Sequence, residues 1–366
     1  MNRNKLSQFN LYVPPLNEQK RIVAKIEELF SKLDAGITAL ERVQANLKRY
    51  RAAALKAAVE GKLTEEWRKQ NLNTEPASKL LQRIFKERRQ KWESEQLEKY
   101  QKSGKTPPKD WQSKYKEPSA PDTANLPFLP DGWCWATLDQ LIDTIEAGKS
   151  FKCQTHPANL EEWGIIKVSA MSWGEFKEEE NKAVFPNSII NPNYEIKPYD
   201  LLLSRANTSE LVGASVLVKN CRTKLLLSDK SMRLIVNKMI DRRWIAFALS
   251  SQPIRKQMSD VATGTSDSMR NISQEKVENV IIALPSSTEQ IEIINVLELL
   301  LSSTSENTKY VSNNLKKSSR LRQSILKQAF LGKLVPQDPN DEPASLLLQR
   351  IQAEKANTIK AKPAKK

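Results

Sequence analysis

The chain has few of the residues that build nucleotide and metal sites. Its 366 residues include ten glycines, and the closest two, Gly164 and Gly174, are ten positions apart. Neither a G-x-G-x-x-G turn nor a G-x-x-x-x-G-K-[ST] loop can occur, which excludes the usual glycine-rich sites for dinucleotides and nucleoside phosphates. The single histidine, His156, precedes a proline. A histidine triad or a His-rich metal site would depend on that one residue.

Cysteines and long apolar runs are also scarce. The three cysteines, Cys134, Cys153 and Cys221, are widely spaced and form no C-x-x-C motif. This usage favours a reducing cytoplasm without a disulfide framework. No stretch approaches the roughly 20 apolar residues that span a bilayer, and residues 1–17 lack the apolar run of a signal peptide. We expect a cytoplasmic protein with no metal, no cofactor and no membrane partner.

Basic residues are abundant. The chain has 58 Lys and Arg against 43 Asp and Glu, a formal net charge of +15, and its 39% hydrophobic content suffices for a core. Residues 1–126 carry +10 and residues 286–366 carry +5, whereas residues 127–285 are neutral overall. These features favour a basic, non-catalytic protein.

An internal repeat brackets an unrepeated middle region. Two pairs of segments are offset by 271 positions, and one further pair by 267. The paired segments are 14–19 with 285–290, 61–63 with 332–334, and 75–84 with 342–351. Because one offset holds through many identities, we interpret the pairs as copies of one duplicated segment.

Each copy is predicted to form a long helix. In the first, apolar residues keep two seven-residue spacings, an a/d seam that predicts a partner helix. They are Ile22, Leu29, Val43 and Tyr50, and Ile26, Leu33, Leu40, Leu47 and Ala54. The second copy has apolar residues at Ile293, Leu297, Leu300, Val311, Leu321 and Ile325 and polar ones at Thr304, Asn307, Asn314 and Ser318. We interpret the helices as an antiparallel pair; the alternative is that each packs only on its own domain.

The middle region is predicted to be a mixed α and β domain. Short apolar runs bounded by turn residues predict strands. These runs lie at 164–168, 200–205, 214–218 and 232–236, and helices are predicted at 244–251 and 253–258. Residues 93–125 are charged and contain prolines, so we expect a solvated linker there, although Trp92 and Trp111 are unusual in such a segment.

Several short motifs mark this region in a fixed order. They are Leu-Pro-x-Gly-Trp-x-Trp at 129–135, Leu-Ser-Arg-Ala-Asn at 203–207, Leu-Val-Gly at 211–213, Ser-Asp-Lys at 228–230, Thr-Gly-Thr-Ser at 263–266 and Met-Arg-Asn-Ile-Ser at 269–273. Together with the flanking repeat, they resemble the specificity (S) subunit of type I restriction–modification enzymes. The resemblance covers nearly the whole chain.

The resemblance implies a subunit without catalytic activity. In that family, two target-recognition domains each read one half of a bipartite DNA site. Two conserved helical regions form an antiparallel coiled coil that separates them and docks methyltransferase (M) subunits, through which restriction (R) subunits join. For this chain it implies an α+β fold, with one target-recognition domain attached to two long helices. Double-stranded DNA, M subunits and R subunits are the expected partners. S-adenosylmethionine, ATP and magnesium are expected only on the partner subunits.

The chain departs from the family in having one complete recognition domain. Residues 1–13, where Phe9, Leu11 and Val13 alternate, resemble the last strand of a preceding domain, as 279–285 does before the second helix. We therefore expect a truncated or half subunit that reads one half-site, with a second S chain as a possible partner. The expected segments are a domain remnant (1–13), the first helical region (14–92), the linker (93–125), the recognition domain (126–284), the second long helix (285–334) and a C-terminal helix with a basic tail (335–366).

Candidate DNA contacts come from charge and from side chains with directed donors. Residues 219–243 hold eight basic residues against two acidic ones, a cluster that either neutralises phosphates or forms a solvated face. Arginine reads guanine and asparagine reads adenine, and both occur in loops 204–209 and 263–271. The candidates are Lys149, Lys152, Arg205, Asn207, Lys219, Arg222, Lys224, Lys230, Arg233, Ser266, Arg270 and Asn271. Loops 151–162 and 173–186 are alternatives for base reading.

Two other functions stay open at this point. The first is an enzyme, a DNA methyltransferase or nuclease. Residues 191–194 read Asn-Pro-Asn-Tyr, one residue away from the Asn-Pro-Pro-Tyr motif of adenine methyltransferases. No glycine-rich cofactor loop precedes them, so we interpret them as a turn. The second is a coiled-coil scaffold that does not bind specific DNA.

Overall fold

The structure, a computed structural model, describes residues 11–171, 174–267 and 269–360. The chain divides into two compact units, Met1–Arg49 with Ser303–Lys366, and Tyr50–Ser302. Residues 1–13 were expected to be a domain remnant. Residues 1–10 of this segment lie outside the described residues, and residues 11–13 form no strand. The basic tail at 361–366 and residues 172, 173 and 268 also lie outside them. No helix of the described residues is long and apolar enough to cross a membrane.

The fold is α+β, as predicted. The helices are α1 (Leu16–Val59), α2 (Glu65–Gln70), α3 (Ala77–Lys102), α4 (Leu138–Leu141), α5 (Arg242–Ser250), α6 (Gln252–Val261), α7 (Gln274–Glu278), α8 (Ser287–Phe330) and α9 (Ala344–Lys360). The strands are β1 (Cys134–Thr137), β2 (Ile142–Ala147), β3 (Gly164–Ile166), β4 (Asn181–Ala183), β5 (Leu201–Ser204), β6 (Ala206–Asn207), β7 (Ser215–Leu217), β8 (Leu225–Leu226), β9 (Ser231–Val236), β10 (Thr263–Ser266), β11 (Met269–Asn271) and β12 (Ile281–Leu284). The two long helices and the strands predicted at 164–168, 200–205, 214–218 and 232–236 are confirmed.

The first unit pairs α1 with α8 in antiparallel directions. The Arg322 guanidinium contacts the Asp34 carboxylate and lies 4.7 Å from the centre of the Phe30 ring. Arg21, earlier in α1, pairs with Asp341, beyond the end of α8, at 2.6 Å. A residue earlier in α1 therefore pairs with a residue later in the chain beyond α8. This order is the one that antiparallel helices require, so the predicted antiparallel pairing is confirmed.

The predicted seam is right along one seven-residue spacing and wrong along part of the other. Residues 26, 33, 40, 47 and 54 are buried or half-buried, whereas Val43 and Tyr50 are exposed. The inward-facing positions there are Gln44 and Arg51, one residue later. An α-helix drifts about 20° per heptad against a strict seven-residue repeat. Over four heptads the buried face therefore moves by about one residue.

The same drift appears in α8. Leu321 is exposed, whereas the neighbouring Arg322 is half-buried. Thr304, a polar position of the predicted seam, is buried, and Asn307 is exposed.

The sequence repeat is also a structural repeat. The Gln19 side chain donates to the Pro14 carbonyl at 2.8 Å, and Gln290 donates to the Pro285 carbonyl at 3.0 Å. Gly61 and Gly332, which follow the ends of α1 and α8, have φ of +70° and +65°. Glycine is the residue that adopts this left-handed conformation without steric cost, so both helices end in the same way.

Among its described residues, the second unit contains four small sheets. The largest is antiparallel in the order β2-β9-β5-β7. Strands β1 and β12 pair antiparallel, β4-β3-β8 combines an antiparallel and a parallel pair, and β10-β11-β6 forms a three-stranded sheet. The order of the strands in the largest sheet decides which of the loops that leave it lie side by side.

The core of the second unit extends beyond the expected domain at 126–284. The end of α1, the start of α3 and the start of α8 all bury apolar residues in one cluster with the β1–β12 region. At its centre the Trp133 and Trp244 rings meet edge to face, 5.9 Å apart, a favoured aromatic geometry. The helical contributions are Ala54, Leu55, Ala58, Val59, Ala77, Leu80, Ile84, Ile293, Ile294 and Leu297.

A buried carboxylate joins the pieces of this core. Glu289, near the start of α8, accepts hydrogen bonds from Trp133 Nε1 (2.8 Å), Thr64 Oγ1 (2.7 Å) and the Arg68 guanidinium (2.7 Å). Its side chain is 2% exposed. An ionised group can be buried at tolerable cost only when it is paired and hydrogen-bonded, and Glu289 has three donors from two parts of the chain, 64–68 and Trp133.

The segment expected to be a linker packs in part on its neighbours. Helix α3 continues to Lys102, ten residues into the range 93–125. Trp111 stacks on Trp92 with ring centres 5.9 Å apart, and Tyr115 packs on the same ring at 5.4 Å. The two tryptophans thus fold the linker back on the helix that precedes it.

Replacing Trp133 by phenylalanine removes one donor from the buried Glu289 carboxylate while keeping an aromatic ring. We expect Trp133→Phe to lower the free energy of unfolding by about 1–3 kcal/mol, since an acceptor is left short of a partner. Trp135→Phe is the matched control, because its indole donates only at 3.3 Å in an exposed setting. Urea unfolding measures both; equal losses in the two variants would contradict the role given to Glu289.

Candidate nucleic-acid interface

One edge of the four-stranded sheet gathers three of the candidate residues. The antiparallel register places Ala147 and Leu203 opposite Met232, and Ser204 opposite Ser231. The end of β2, the end of β5 and the start of β9 therefore lie side by side. The loops that carry Lys149, Arg205 and Lys230 leave the sheet at this common edge.

Backbone hydrogen bonds fix these loops to each other. The Arg205 amide donates to the Lys230 carbonyl at 2.8 Å, and the Ile272 amide donates to the Arg205 carbonyl at 3.0 Å. The Ser209 amide donates to the Asp267 carbonyl at 2.9 Å. Three motifs that are far apart in sequence, 203–209, 228–231 and 263–273, thus form one local structure.

Gly148 allows the loop after β2 to approach the turn at 228–231. Its amide donates to the Ser231 carbonyl at 3.2 Å. A Cβ at this position would lie 2.2 Å from the Ser228 carbonyl oxygen, which is too close for any side chain. The glycine thus places the start of the loop that carries Lys149 against the turn that carries Lys230.

The basic side chains at this edge are available for a ligand. Lys149, Lys152, Arg205 and Lys230 are exposed, and none makes a side-chain hydrogen bond or ion pair within the part of the chain that is described. Ammonium and guanidinium groups of this kind donate to phosphate oxygens, and arginine also donates in bidentate fashion to guanine. We call Lys149, Lys152, Arg205 and Lys230 the basic edge.

The β6–β11 ladder adjoins the basic edge. Arg270 lies opposite Asn207, and Asn271 lies opposite Ala206. The Arg270 guanidinium donates to the Ala262 carbonyl at 2.6 Å, so it holds the β10–β11 hairpin against the end of α6. Asn271 and Ser266 are exposed on this hairpin.

A groove of about 470 Å³ opens beside the basic edge. Lys230, Phe151, Lys167 and Lys182 are among the residues that line it. Lys167 is paired with Glu180 at 2.6 Å. The sequence did not single out Lys167 or Lys182, although Lys182 lies in the loop 173–186 that was an alternative for base reading.

Lys219, Arg222 and Lys224 lie away from the basic edge. Lys219 follows β7 and is exposed at the opposite edge of the sheet. Arg222 donates to the carbonyls of Asn159 and Glu162, and Lys224 Nζ donates to the Glu161 carbonyl at 2.9 Å. These two side chains hold the loop 159–162 in place.

Arg233 is a buried structural residue in this fold. Its guanidinium pairs with Glu146 and with Asp200 (2.9 Å) and donates to the Asn193 and Glu195 carbonyls. Burial lowers the pKa of Arg233, but the hydrogen bonds and charges of Asp200 and Glu146 outweigh it and raise the pKa above its ordinary value. With 8% of its surface exposed, Arg233 leaves the set of candidate contacts.

The basic run at 219–243 therefore does not form one face. Arg243 pairs with Asp241 at 2.8 Å, Arg242 donates to the Tyr199 carbonyl at 2.9 Å, and Lys238 pairs with Glu87. These basic residues are close in sequence but not in space, because β9 runs from one edge of the sheet to the other between them.

The described residues contain no group of three or more His, Cys, Asp and Glu side chains that could hold a metal ion. His156 is exposed and lies beside Pro157 and Gln154. Burial raises the pKa of the Cys134 thiol to about 11, which disfavours the nucleophilic thiolate. Residues Pro192–Tyr194 form a single 3-10 turn, as interpreted from the sequence.

Comparison with known proteins gives a consistent set of relatives. The chain is 31% identical over 278 residues to the specificity subunit of the type I restriction enzyme EcoEI from Escherichia coli, covering 75% of this chain and 43% of that protein. It is 26% identical over 358 residues to the EcoKI specificity subunit of Escherichia coli strain K12, covering 95% of this chain and 64% of that protein. Both relatives are specificity subunits of type I restriction enzymes, and the similarity extends over 75% and 95% of this chain. The chain spans less than two thirds of either relative.

A solved structure shares the fold. The chain superposes with a TM-score of 0.54 and 18% identity on a chain from a study of complex assembly and conformational transition of the type I restriction–modification system. The match covers 91% of this chain and 64% of that chain. No family model matches the sequence.

The burial of Arg233 and the exposure of Lys230 predict opposite sensitivities to substitution. Arg233→Met leaves Asp200 without its guanidinium partner, so we expect a loss of about 3–5 kcal/mol in the free energy of unfolding. Lys230→Ala, at an exposed position without a partner, should change it by less than about 0.5 kcal/mol. Urea or thermal unfolding measures both. A stable Arg233→Met protein would return Arg233 to the candidate contacts.

Proposed function

We propose that the chain is a non-catalytic DNA-recognition subunit of a type I restriction–modification complex, and that it reads one half of a bipartite site. The observation that carries this proposal is the basic edge, where exposed and unpaired cations from separate motifs meet on one domain. The homology to specificity subunits supports the assignment. The ligand that we propose is double-stranded DNA.

The charge pattern supports local recognition of DNA. Residues 127–285 have no net charge, so long-range attraction contributes little to where DNA binds this region. Some acidic residues instead pair with cations that build the fold, as Asp200 does with Arg233. Unpaired cations lie at the basic edge, where contact with phosphates would release counterions.

We assign different tasks to the residues of the interface. Lys149, Lys152 and Lys230 carry point charges that suit phosphate oxygens, whereas Arg205 has the planar donor pattern that reads guanine. Asn271 and Ser266 on the hairpin, with Lys182 in the groove, are further contacts that we propose. Asn207 and Arg270 maintain the β6–β11 ladder that presents them.

We also propose that the chain acts with other subunits. The long helices α1 and α8 would dock M subunits, and R subunits would join through them. S-adenosylmethionine, ATP and magnesium would then belong to those partners, and the chain itself would need no cofactor. Localisation in the cytoplasm is part of the same proposal.

Two alternatives predict different results. An enzyme acting by itself would transfer methyl groups or cut DNA as the purified chain; the turn at 192–194 and the lack of glycine-rich motifs give this reading little support. A scaffold without specific binding would show no preference among DNA sequences across a salt series.

Substituting one residue of the basic edge should weaken DNA binding. We expect Arg205→Ala to lower affinity for a selected duplex about tenfold and to relax the preference at one base pair, because one bidentate contact is worth about 1–3 kcal/mol. Lys219→Ala is the matched control, since Lys219 is equally exposed but lies at the opposite edge of the sheet. Selection from a random duplex pool, followed by gel shifts at several salt concentrations, measures both effects.

The opposite pattern would contradict the proposal. If Lys219→Ala weakened binding and Arg205→Ala did not, the interface would be on the other edge. If the chain bound no duplex at low salt, the recognition function would fail.

Co-expression with the M subunit from the same genome should yield a stable complex. We expect native mass measurement to show M bound to the chain in the absence of DNA, and methylation of adenine only when both proteins are present. A chain that stays free of M would remove the assembly part of the proposal and leave DNA reading to be judged by the binding series.

A further inference from the structure

The segment that follows β4 turns two apolar side chains toward solvent. Phe185 is 48% exposed and Ile189 is 95% exposed. Their neighbours are turned the other way, because Val184 is 4% exposed and Ile190 packs against the core cluster that contains Val184. Since the core takes the neighbours and not these two residues, the fold presents Phe185 and Ile189 to solvent. We call Phe185 and Ile189 the apolar pair.

A turn fixes the position of the apolar pair. The Ser188 amide donates to the Phe185 carbonyl at 3.0 Å, which closes a four-residue β-turn. Val184 on one side of this turn and Ile190 on the other are held by the core. A segment that is ordered before binding loses less conformational entropy when a ligand contacts it. The apolar pair is therefore presented on a pre-organised backbone.

The apolar pair is continuous with the basic edge. Cys153 and Val184 form an antiparallel bridge, and the Phe185 amide donates to the Lys152 carbonyl at 3.2 Å. Lys152 and Phe185 are thus directly opposite each other. Side chains that are opposite each other in an antiparallel pair lie on the same face, and successive residues alternate between faces. Lys152 of the basic edge and Phe185 of the apolar pair therefore share the face that points away from the buried Val184.

A second cation precedes the apolar pair in the same segment. Lys182 is the middle residue of β4 and is exposed, whereas Asn181 and Ala183 on either side of it are buried. Lys182 also lines the groove to which Lys230 of the basic edge contributes. The apolar pair thus has Lys152 across the bridge and Lys182 earlier in its own segment.

This combination of side chains restricts the chemistry of the ligand. Cations that bind phosphates place the side chains beside them at the grooves of the duplex. The base edges in the grooves present hydrogen-bond donors and acceptors, and the apolar group among them is the methyl group of thymine in the major groove. An exposed apolar side chain beside phosphate-binding lysines has this methyl group as its complement.

We propose that the apolar pair contacts a thymine methyl group in the major groove of the bound half-site, which makes Phe185 and Ile189 specificity-determining residues. The inference deepens the proposed function and rests on it, because the duplex must lie along the basic edge. It adds an apolar contact to residues that otherwise read bases by hydrogen bonds. It also assigns an A·T pair to the part of the half-site beside the phosphate that Lys152 binds.

Removal of one methyl group from the DNA tests the contact. In the duplex selected from the random pool, each thymine is replaced in turn by deoxyuridine, which keeps the base pair and lacks the methyl group. We expect the wild-type chain to lose affinity about threefold to fivefold at one thymine, which corresponds to the burial of one methyl group. The other thymines should respond by less than about twofold. Fluorescence anisotropy of the labelled duplexes measures the affinities.

A double-mutant cycle assigns the contact to the apolar pair. Ile189→Ala should weaken binding of the thymine duplex by a similar factor, and replacement of the responsive thymine should then have little further effect. Phe185→Ala should behave in the same way. Coupling between a side chain and a single methyl group identifies a direct contact. Because Ile189 is so exposed, Ile189→Ala should leave the thermal unfolding midpoint unchanged, so weaker binding would not reflect unfolding.

Leu160→Ala is the matched control. Leu160 is an aliphatic residue of the same domain and is 73% exposed. It lies in the loop 159–162, which Arg222 and Lys224 hold away from the basic edge. We expect Leu160→Ala to bind the thymine duplex as the wild-type chain does and to retain the full response to deoxyuridine.

Three outcomes would overturn the inference while DNA recognition stands. The first is equal affinity for the thymine and deoxyuridine forms at every position. The second is a response that Leu160→Ala removes and Ile189→Ala keeps, which would place the apolar contact in the loop 159–162. The third is weaker binding by Ile189→Ala without any response to methyl removal. In that case the side chain would insert between base pairs, and a fluorescent adenine analogue at the step would report the unstacking.

Failure of the proposed function gives a different result. A chain that binds no duplex in the salt series would overturn the recognition function, and the inference would fall with it. Binding of the selected duplex by the wild-type chain therefore reports on the proposed function, and the methyl response reports on Phe185 and Ile189.

Discussion

The second unit depends on one desolvated carboxylate. Glu289 receives an indole from the start of the recognition domain, a hydroxyl from the residue that precedes α2 and a guanidinium from α2 itself. The donors come from two segments, 64–68 and the start of the recognition domain, so the carboxylate can be satisfied only when both have reached their native positions. Apolar burial around Trp133 and Trp244 stabilises this core, but the hydrophobic effect is not directional. The hydrogen bonds to Glu289 supply the direction that fixes how the helices meet the domain.

Much of this architecture could be predicted from the sequence. The repeat at a constant offset predicted two long helices, and the glycines at 61 and 332 predicted where they end. Short apolar runs predicted the central strands, because a strand that is buried on both faces is apolar at nearly every position. The seam was predicted less well, since a strict seven-residue spacing ignores the drift of a straight helix, and Val43 and Tyr50 point outward as a result.

The candidate interface was harder to predict because it depends on which loops meet. Lys149, Arg205 and Lys230 come together through the order of strands β2, β9 and β5, and no local pattern encodes that order. Arg233 shows the converse. Its sequence neighbours suggested a phosphate contact, yet its position in the middle of β9 buries it between two carboxylates. The charge of the sequence does not distinguish Arg205 from Arg233, whereas their burial and their ion pairs do.

The connector between the repeat elements carries a last consequence. Between Gly61 and Glu75 the first copy has four more residues than the second has between Gly332 and Glu342, and Arg68 lies in the longer stretch. Residues 336–341 read Pro-Gln-Asp-Pro-Asn-Asp, without a basic side chain. The connector that follows α1 therefore supplies a guanidinium to Glu289, whereas residues 336–341 offer none to Glu18, the equivalent position of the first copy. The duplicated frame keeps its backbone symmetry but not its charge symmetry, and this difference distinguishes its two ends.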